Sequence, residues 1–249
     1  MLAAAPASWY NSTMEKDRTT IEPIAYIHTD FPEKFGIPRQ SGLARTQAVI
    51  RFVPEYQNPD AVRGLEAFSF IWLIWGFSAN QHGSSNSSAW KATVRPPRLG
   101  GNTRIGVFAS RSPFRPNGLG LSSVRLLSVY ASQDGPVLTV EGADLMDGTP
   151  IYDIKPYIPY ADAHPEAEGG FTDQVPRETL LADCPAELLS RIPAEKQNGL
   201  LDLLEQDPRP SYQHDPERIY GLRYAGYSVK FTVDGKHLIV RDIFPETIT

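Results

Sequence analysis

About seven short runs rich in branched and aromatic residues follow one another between residues 20 and 157, with hardly a helix-forming stretch between them. They occupy residues 20–29, 44–53, 67–77, 104–109, 122–130, 136–142 and 150–157. A doubly wound α/β sheet needs a helix of ten or more residues between successive strands, and hardly a helical pattern lies between these runs. The pattern therefore predicts a mainly β domain, a barrel or a sandwich. Asp134-Gly135, lying between two of the runs, is a hairpin signal. Pro23 confines the first run to an edge or an early strand position. The 22 prolines and 19 glycines place many turns between short elements.

The pattern changes after Tyr160. Residues 161–179 are rich in acidic residues, Gly and Pro and read as a linker. Residues 185–205 carry a helical pattern that includes Pro193, and the runs YSVKFTV and HLIVRDIF, joined across Asp234-Gly235, predict a closing hairpin. The expected organisation is a poorly ordered extension over 1–19, a β domain over 20–160, the linker, and a small α+β appendage over 180–249. Asn58-Pro59-Asp60 predicts a short helix ending near Gly64.

The apolar run from Phe68 to Phe77 spans about ten residues, half of what a membrane-spanning helix needs. Residues 1–20 lack a basic segment followed by an apolar core, so no secretory signal is read there. Cys184 is the single cysteine, which excludes an internal disulfide and a multi-cysteine zinc site and fits a reducing compartment. His28, His82, His164, His214 and His237 are scattered without ligand spacing, so no metal site is expected.

The net charge of −5 argues against a nucleic-acid partner until its distribution is read. No acidic residue lies between Glu66 and Asp134, while Lys91, Arg95, Arg98, Arg104, Arg111, Arg115 and Arg125 all do. Either acidic neighbours in space balance this segment, or it binds phosphates. The setting of the arginines among Gly and Pro favours an anion site.

Four blocks carry a family resemblance: FGIPRQSGL (35–43), VRGLEAFS (62–69), TVRPPRLGGNTRIGVFASRSPFRPNGLGLSSVRL (93–126) and LMDGTPIYDIKPYIPY (145–160). They resemble the TsaA-like family of tRNA N6-threonylcarbamoyladenosine N6-methyltransferases over residues 20–160, and the likeness extends through DPRPSY (207–212). The resemblance implies a single-sheeted antiparallel β-barrel with a small α+β C-terminal appendage. It also implies S-adenosylmethionine as cofactor, the tRNA anticodon loop as partner, a homodimer with cofactor sites near the subunit interface, and a cytoplasmic enzyme. Relatives often carry His-Gln after the third apolar strand, where this chain reads Ser78-Ala79, which puts a cofactor contact there in doubt.

Physical reading of the loops gives the candidate residues. Arg111 and Arg115 sit on a loop stiffened by Pro113 and Pro116 and turned at Asn117-Gly118, which suits phosphate or carboxylate. By resemblance, Arg111 contributes to the cofactor site and Leu121 lines it. Pro38, Arg39 and Gln40 form a second cofactor candidate, with Arg39 able to hold a carboxylate. Asp144, Leu145, Met146 and Asp147 form a third, at a strand end followed by Asp-Gly; a plain turn is the alternative. Asp144 and Asp147 are also the candidates for accepting the leaving proton. Arg95, Arg98, Arg104, Arg115, Arg209 and Tyr212 are the expected tRNA contacts, Arg209 as an exposed cation and Tyr212 as a stacking platform or a packed side chain. Asp153 and Lys155 share a strand face, as an ion pair or as polar site groups. Gly118-Leu119-Gly120 lacks the third glycine and βαβ setting of a dinucleotide loop. The rival functions are a non-catalytic S-adenosylmethionine- or RNA-binding module and a methyltransferase with a small-molecule acceptor.

Overall fold

The computed structural model describes residues 19–77, 91–96, 99, 102–174, 179–209 and 215–246. Its first unit is a closed barrel of six strands: β1 (Ala25–His28), β2 (Gln47–Phe52), β3 (Phe70–Gly76), β6 (Leu119–Ser132), β7 (Gly135–Glu141) and β8 (Thr149–Pro156). The order around the barrel is β1-β2-β7-β6-β3-β8, and every neighbouring pair is antiparallel. Side chains alternate as a strand period of two requires. Ala25, Ile27, Ala48, Ile50, Ile71, Leu73, Val124, Leu126, Leu138, Val140 and Ile151 point inward and form one core. The β6–β7 hairpin turns at Asp134-Gly135, where Gly135 has φ +89°.

Residues 104–109 depart from expectation. Only β5 (Ile105–Gly106) is extended, and it pairs with β4 (Thr93–Val94) in a two-stranded ribbon outside the barrel before a 3₁₀ turn over Val107–Ala109. Closing six strands leaves no free edge for a seventh. The expected helix near residue 60 is a 3₁₀ turn, Pro59–Val62, with Asn58 Oδ1 accepting the Asp60 N–H at 3.0 Å.

After β8 come the short α1 (Pro159–Asp162) and the C-terminal unit: β9 (Leu181–Asp183), α2 (Ala186–Leu189), α3 (Ala194–Glu205), β10 (Tyr220–Tyr224), β11 (Tyr227–Asp234) and β12 (His237–Pro245). The sheet order is β10-β11-β12-β9, with β9 parallel to β12. The helical pattern of residues 185–205 is split, because Pro193 lacks an N–H and becomes the N-cap of α3. Strand β10 was not anticipated; Ala225 (φ 51°) and Gly226 fold it back onto β11. Leu200, Leu203, Leu204, Leu222, Tyr224, Val229, Phe231, Val233, Leu238, Val240 and Ile243 build a second core. Phe31 and Ala44, from the connection between β1 and β2, are buried in that second core, and Phe35 and Ile37 pack against it. The β1–β2 connection therefore belongs to both units. No helix among the described residues is long and apolar enough to cross a membrane, and those residues hold no cluster of three or more His, Cys, Asp or Glu arranged for a metal.

Candidate active site

A cleft of about 340 Å³ opens where the β1–β2 connection meets the start of β6 and the end of β3. It is lined by Pro38, Arg39 and Gln40 from the connection, by Trp72, Trp75 and Phe77 from β3 and its exit, by Ser110, Arg111 and Arg115 from the loop before β6, by Leu119, Gly120 and Leu121, and by Asp144. Its volume falls within the range of small-ligand sites.

The aromatic wall is fixed by close packing. A Cβ on Gly120 would meet the Trp75 indole at 2.3 Å, so only glycine lets the ring lie against β6. Trp75 and Phe77 meet edge-on with centroids 4.4 Å apart. The β3–β8 register slips between Ile74 and Trp75, and such a bulge re-aims the side chain beside it. Trp72 is oriented by its indole N–H, which donates to Asp162 Oδ2 at 3.0 Å. Asp162 also accepts the Ile158 N–H at 2.7 Å, and these two bonds hold its carboxyl below the usual carboxylate range.

Behind the wall runs a polar relay. The Trp75 indole N–H donates to Ser122 Oγ at 3.0 Å, and Ser122 Oγ–H donates to Asp144 Oδ1 at 2.6 Å. Burial pushes the Asp144 carboxyl above its ordinary range; the Ser122 hydroxyl, the Ser41 amide and the charge of Arg111 pull it down, but burial prevails. Arg111 in turn donates from Nη1 to Gln40 Oε1, tying the loop before β6 to the β1–β2 connection.

Of the residues expected from sequence, Pro38, Arg39, Gln40, Arg111, Leu121 and Asp144 meet in this cleft, and Arg115 joins them. Arg115 is half-buried and donates from Nη1 to the carbonyls of Ser110 (3.1 Å) and Ser112 (3.4 Å), which staples its own loop. The group 144–147 is divided. Leu145 is buried in the barrel core, Met146 forms a turn through its carbonyl to the Thr149 hydroxyl (2.7 Å), and Asp147 accepts the Thr29 N–H at 3.0 Å beside His28. Those three do not line the cleft. Arg95 and Arg104 are exposed on the ribbon of β4 and β5. Arg209 is not the exposed cation expected: Asp207 takes its guanidinium with both carboxylate oxygens (2.8 and 2.9 Å), and its side chain is 10% accessible. Arg98, Tyr212 and Ser78-Ala79 lie outside the described residues. Lys155 and Asp153 are an ion pair at 3.0 Å. Within the acid-free segment, Arg125 is the described cation with a carboxylate partner, Glu141 at 3.9 Å.

Trp72, Trp75, Phe77, Ser110 and Ser122 are not legible as site residues in the sequence, because they sit in strand or turn patterns that look purely structural. The density of aromatics in residues 70–77 ahead of a Gly-flanked strand was the available signal. Aromatic faces, three guanidinium groups and one desolvated carboxylate suit a ligand that carries a flat base, a carboxylate and a positive centre. S-Adenosylmethionine has that chemistry.

Comparisons with known proteins agree with this geometry. The tRNA-methyltransferase O N-terminal domain family matches residues 26–163, and the TrmO C-terminal domain family matches residues 179–246. The chain is 41% identical over 219 residues to a tRNA (adenine(37)-N6)-methyltransferase of Escherichia coli, covering 85% of this chain and 90% of that one. It is 42% identical over 213 residues to a putative S-adenosylmethionine-dependent methyltransferase of Pseudomonas aeruginosa, covering 82% and 88%. A crystal structure of TrmO from Pseudomonas aeruginosa superposes with a TM-score of 0.70 at 32% identity, over 91% of this chain and 99% of that chain. With barrel, C-terminal unit and sequence all matched over nearly their full extent, the chain belongs to the tRNA-methyltransferase O family.

Proposed function

We propose that this protein methylates the N6 nitrogen of threonylcarbamoyladenosine beside the anticodon of tRNA, using S-adenosylmethionine held in the barrel cleft. The observation that carries this reading is the cleft itself. It joins an aromatic wall, Arg39, Arg111 and a half-buried Asp144 to a segment of arginines with no acidic residue between Glu66 and Asp134.

Bound there, S-adenosylmethionine would supply a methyl group on a positively charged sulfur for in-line transfer to the carbamoylated N6 nitrogen, which gives up its proton. Trp72, Trp75 and Phe77 offer flat faces to a base and to a cation. Arg39 and Arg111 hold a carboxylate, Arg111 oriented by Gln40. Most of the rate gain in such a transfer comes from alignment, on the order of 7–11 kcal/mol in favourable cases. Rigid placement of the loop through Arg115 and of the wall through Gly120 serves that end. Asp144 Oδ1 accepts the Ser122 hydroxyl, and the carboxylate, which faces the cleft, takes the proton released from N6. A carboxyl raised by burial is a better proton acceptor at neutral pH than an ordinary one.

Arg95 and Arg104 on the ribbon contact phosphates of the anticodon stem-loop, with Arg98 and Tyr212 as further contacts. Leu121, 56% exposed on the outer face of β6, supports a homodimer whose interface passes beside the cleft. A cytoplasmic location follows from a tRNA substrate.

The test incubates the protein with S-adenosylmethionine and bulk tRNA, digests the RNA and measures nucleosides by mass spectrometry. A parallel sample uses tRNA lacking the threonylcarbamoyl group. The reading expects a methyl on threonylcarbamoyladenosine and none in the parallel sample. Cofactor binding without methyl gain in either sample turns it toward a binding module or a small-molecule acceptor.

A further inference from the structure

We propose that the C-terminal unit is a brace for the cofactor loop of its own chain, with Asp202 and Lys196 of α3 as positioning residues. The inference rests on the reading above, in which Pro38, Arg39 and Gln40 face the cofactor. These residues lie in the β1–β2 connection, which has no regular structure and contains Gly36 and Gly42 at positive φ. Such a segment has few internal bonds to fix it, and ordering it on ligand binding costs affinity.

The bonds come from the other unit, at both ends and in the middle. At the entry, Lys196 Nζ is 2.6 Å from Asp30 Oδ2, with side chains 26% and 15% accessible. The Ala225 N–H donates to the Asp30 carbonyl at 3.1 Å. At the exit, Asp202 accepts from Arg45 Nε and Nη2 and from the Arg45 backbone N–H, all at 2.8 Å. Between them, Phe31 and Ala44 are buried in the C-terminal core. Gly36 lies so close to Leu222 that a Cβ would come within 1.9 Å of its Cδ1. Arg39 Nη2 also donates to the Asp207 carbonyl at 3.3 Å. The barrel adds the bond from Gly42 N–H to the Gly142 carbonyl at 2.8 Å. Two ion pairs, an apolar plug and one close backbone approach thus hold both ends of a loop whose centre lines the cleft.

The experiment compares wild type with Asp202→Ala, Asp202→Glu, Lys196→Met and, as control, Asp242→Ala. Asp242 pairs with Arg191 within the C-terminal unit. Three readouts are taken on the full-length protein: the Kd for S-adenosylmethionine by calorimetry, amide hydrogen exchange of residues 36–43, and kcat at saturating cofactor. The brace predicts loop exchange at least about tenfold faster and a Kd raised about five- to twentyfold in Asp202→Ala and Lys196→Met. Asp202→Glu recovers part of both, Asp242→Ala changes neither, and kcat at saturating cofactor stays within about twofold of wild type. A Kd that stays put while the loop exchanges faster overturns the proposal, and so does an equal change in Asp242→Ala, which would mean general loosening. If wild type binds no S-adenosylmethionine, the cofactor reading fails, and unchanged loop exchange in the variants would then refute the brace separately.

Discussion

Ser122 Oγ stands 2.6 Å from Asp144 Oδ1 while accepting the Trp75 indole N–H at 3.0 Å, so one hydroxyl ties the aromatic wall of the cleft to its half-buried carboxylate. Ser122→Ala breaks both bonds. The carboxylate loses a donor that favours its charged form, and a buried N–H loses its acceptor. The expected cost is about 1–3 kcal/mol in urea unfolding. The acid limb of the kcat profile should also move to higher pH, because the Asp144 carboxyl rises further. An unmoved acid limb would remove Asp144 from the proton path.

Asp144→Asn separates activity from stability. If the Asp144 carboxylate takes the proton, kcat falls by about 10²–10⁴. The sign of the stability change follows from the raised carboxyl. The folded state binds this proton more tightly than the unfolded chain, so ionising the group costs stability as pH rises through its folded value. The variant is therefore more stable than wild type at pH 7, and the gain disappears below the unfolded carboxylate range. Thermal unfolding at several pH values checks this, and a loss of stability at pH 7 contradicts it.

Gly120→Ala pushes a methyl into the Trp75 ring, which lies directly against that position. Overpacking of this kind costs about 1–3 kcal/mol. Because the ring is displaced toward the cleft, cofactor affinity should drop together with stability. A variant that loses stability but keeps wild-type cofactor affinity would mean that Trp75 does not shape the binding surface.

Arg111→Ala and Arg115→Ala differ in mechanism but converge on one site. Arg111 faces the cleft, whereas Arg115 fixes the loop that presents it. Both should weaken cofactor binding, and Arg115→Ala should do so alongside faster proteolysis of residues 110–118. Affinity for cofactor that survives Arg115→Ala would restore a purely RNA-directed role for that residue.

Arg95→Ala and Arg104→Ala test the ribbon. Each lost phosphate contact should flatten the dependence of log K on log salt by about 0.7 for single-stranded RNA. Cofactor affinity should be unaffected, since neither residue lines the cleft. A salt slope identical to wild type in both variants would place the RNA path elsewhere.

Much of this protein is legible from local chemistry. Alternation with period two at Ile71 and Leu73, or at Leu138 and Val140, dictates strands with one buried face. Asp134-Gly135 dictates a hairpin, and the run of arginines without a balancing acid marks the site segment. These features depend on residues near one another in the chain. The tertiary structure alone decided that residues 104–109 form a ribbon, because six strands close the barrel without them. It decided that Leu145 turns into the core while Asp144, its neighbour, faces the cleft, since the turn at Met146 to Gly148 fixes the direction of each side chain. It folded Arg209 back onto Asp207 where an exposed cation was expected. It also placed Lys196 on Asp30 and Asp202 on Arg45, pairs more than 150 residues apart whose union no local pattern encodes. Period and turn chemistry act over a few residues; which face meets which depends on how two closed cores share one connecting loop.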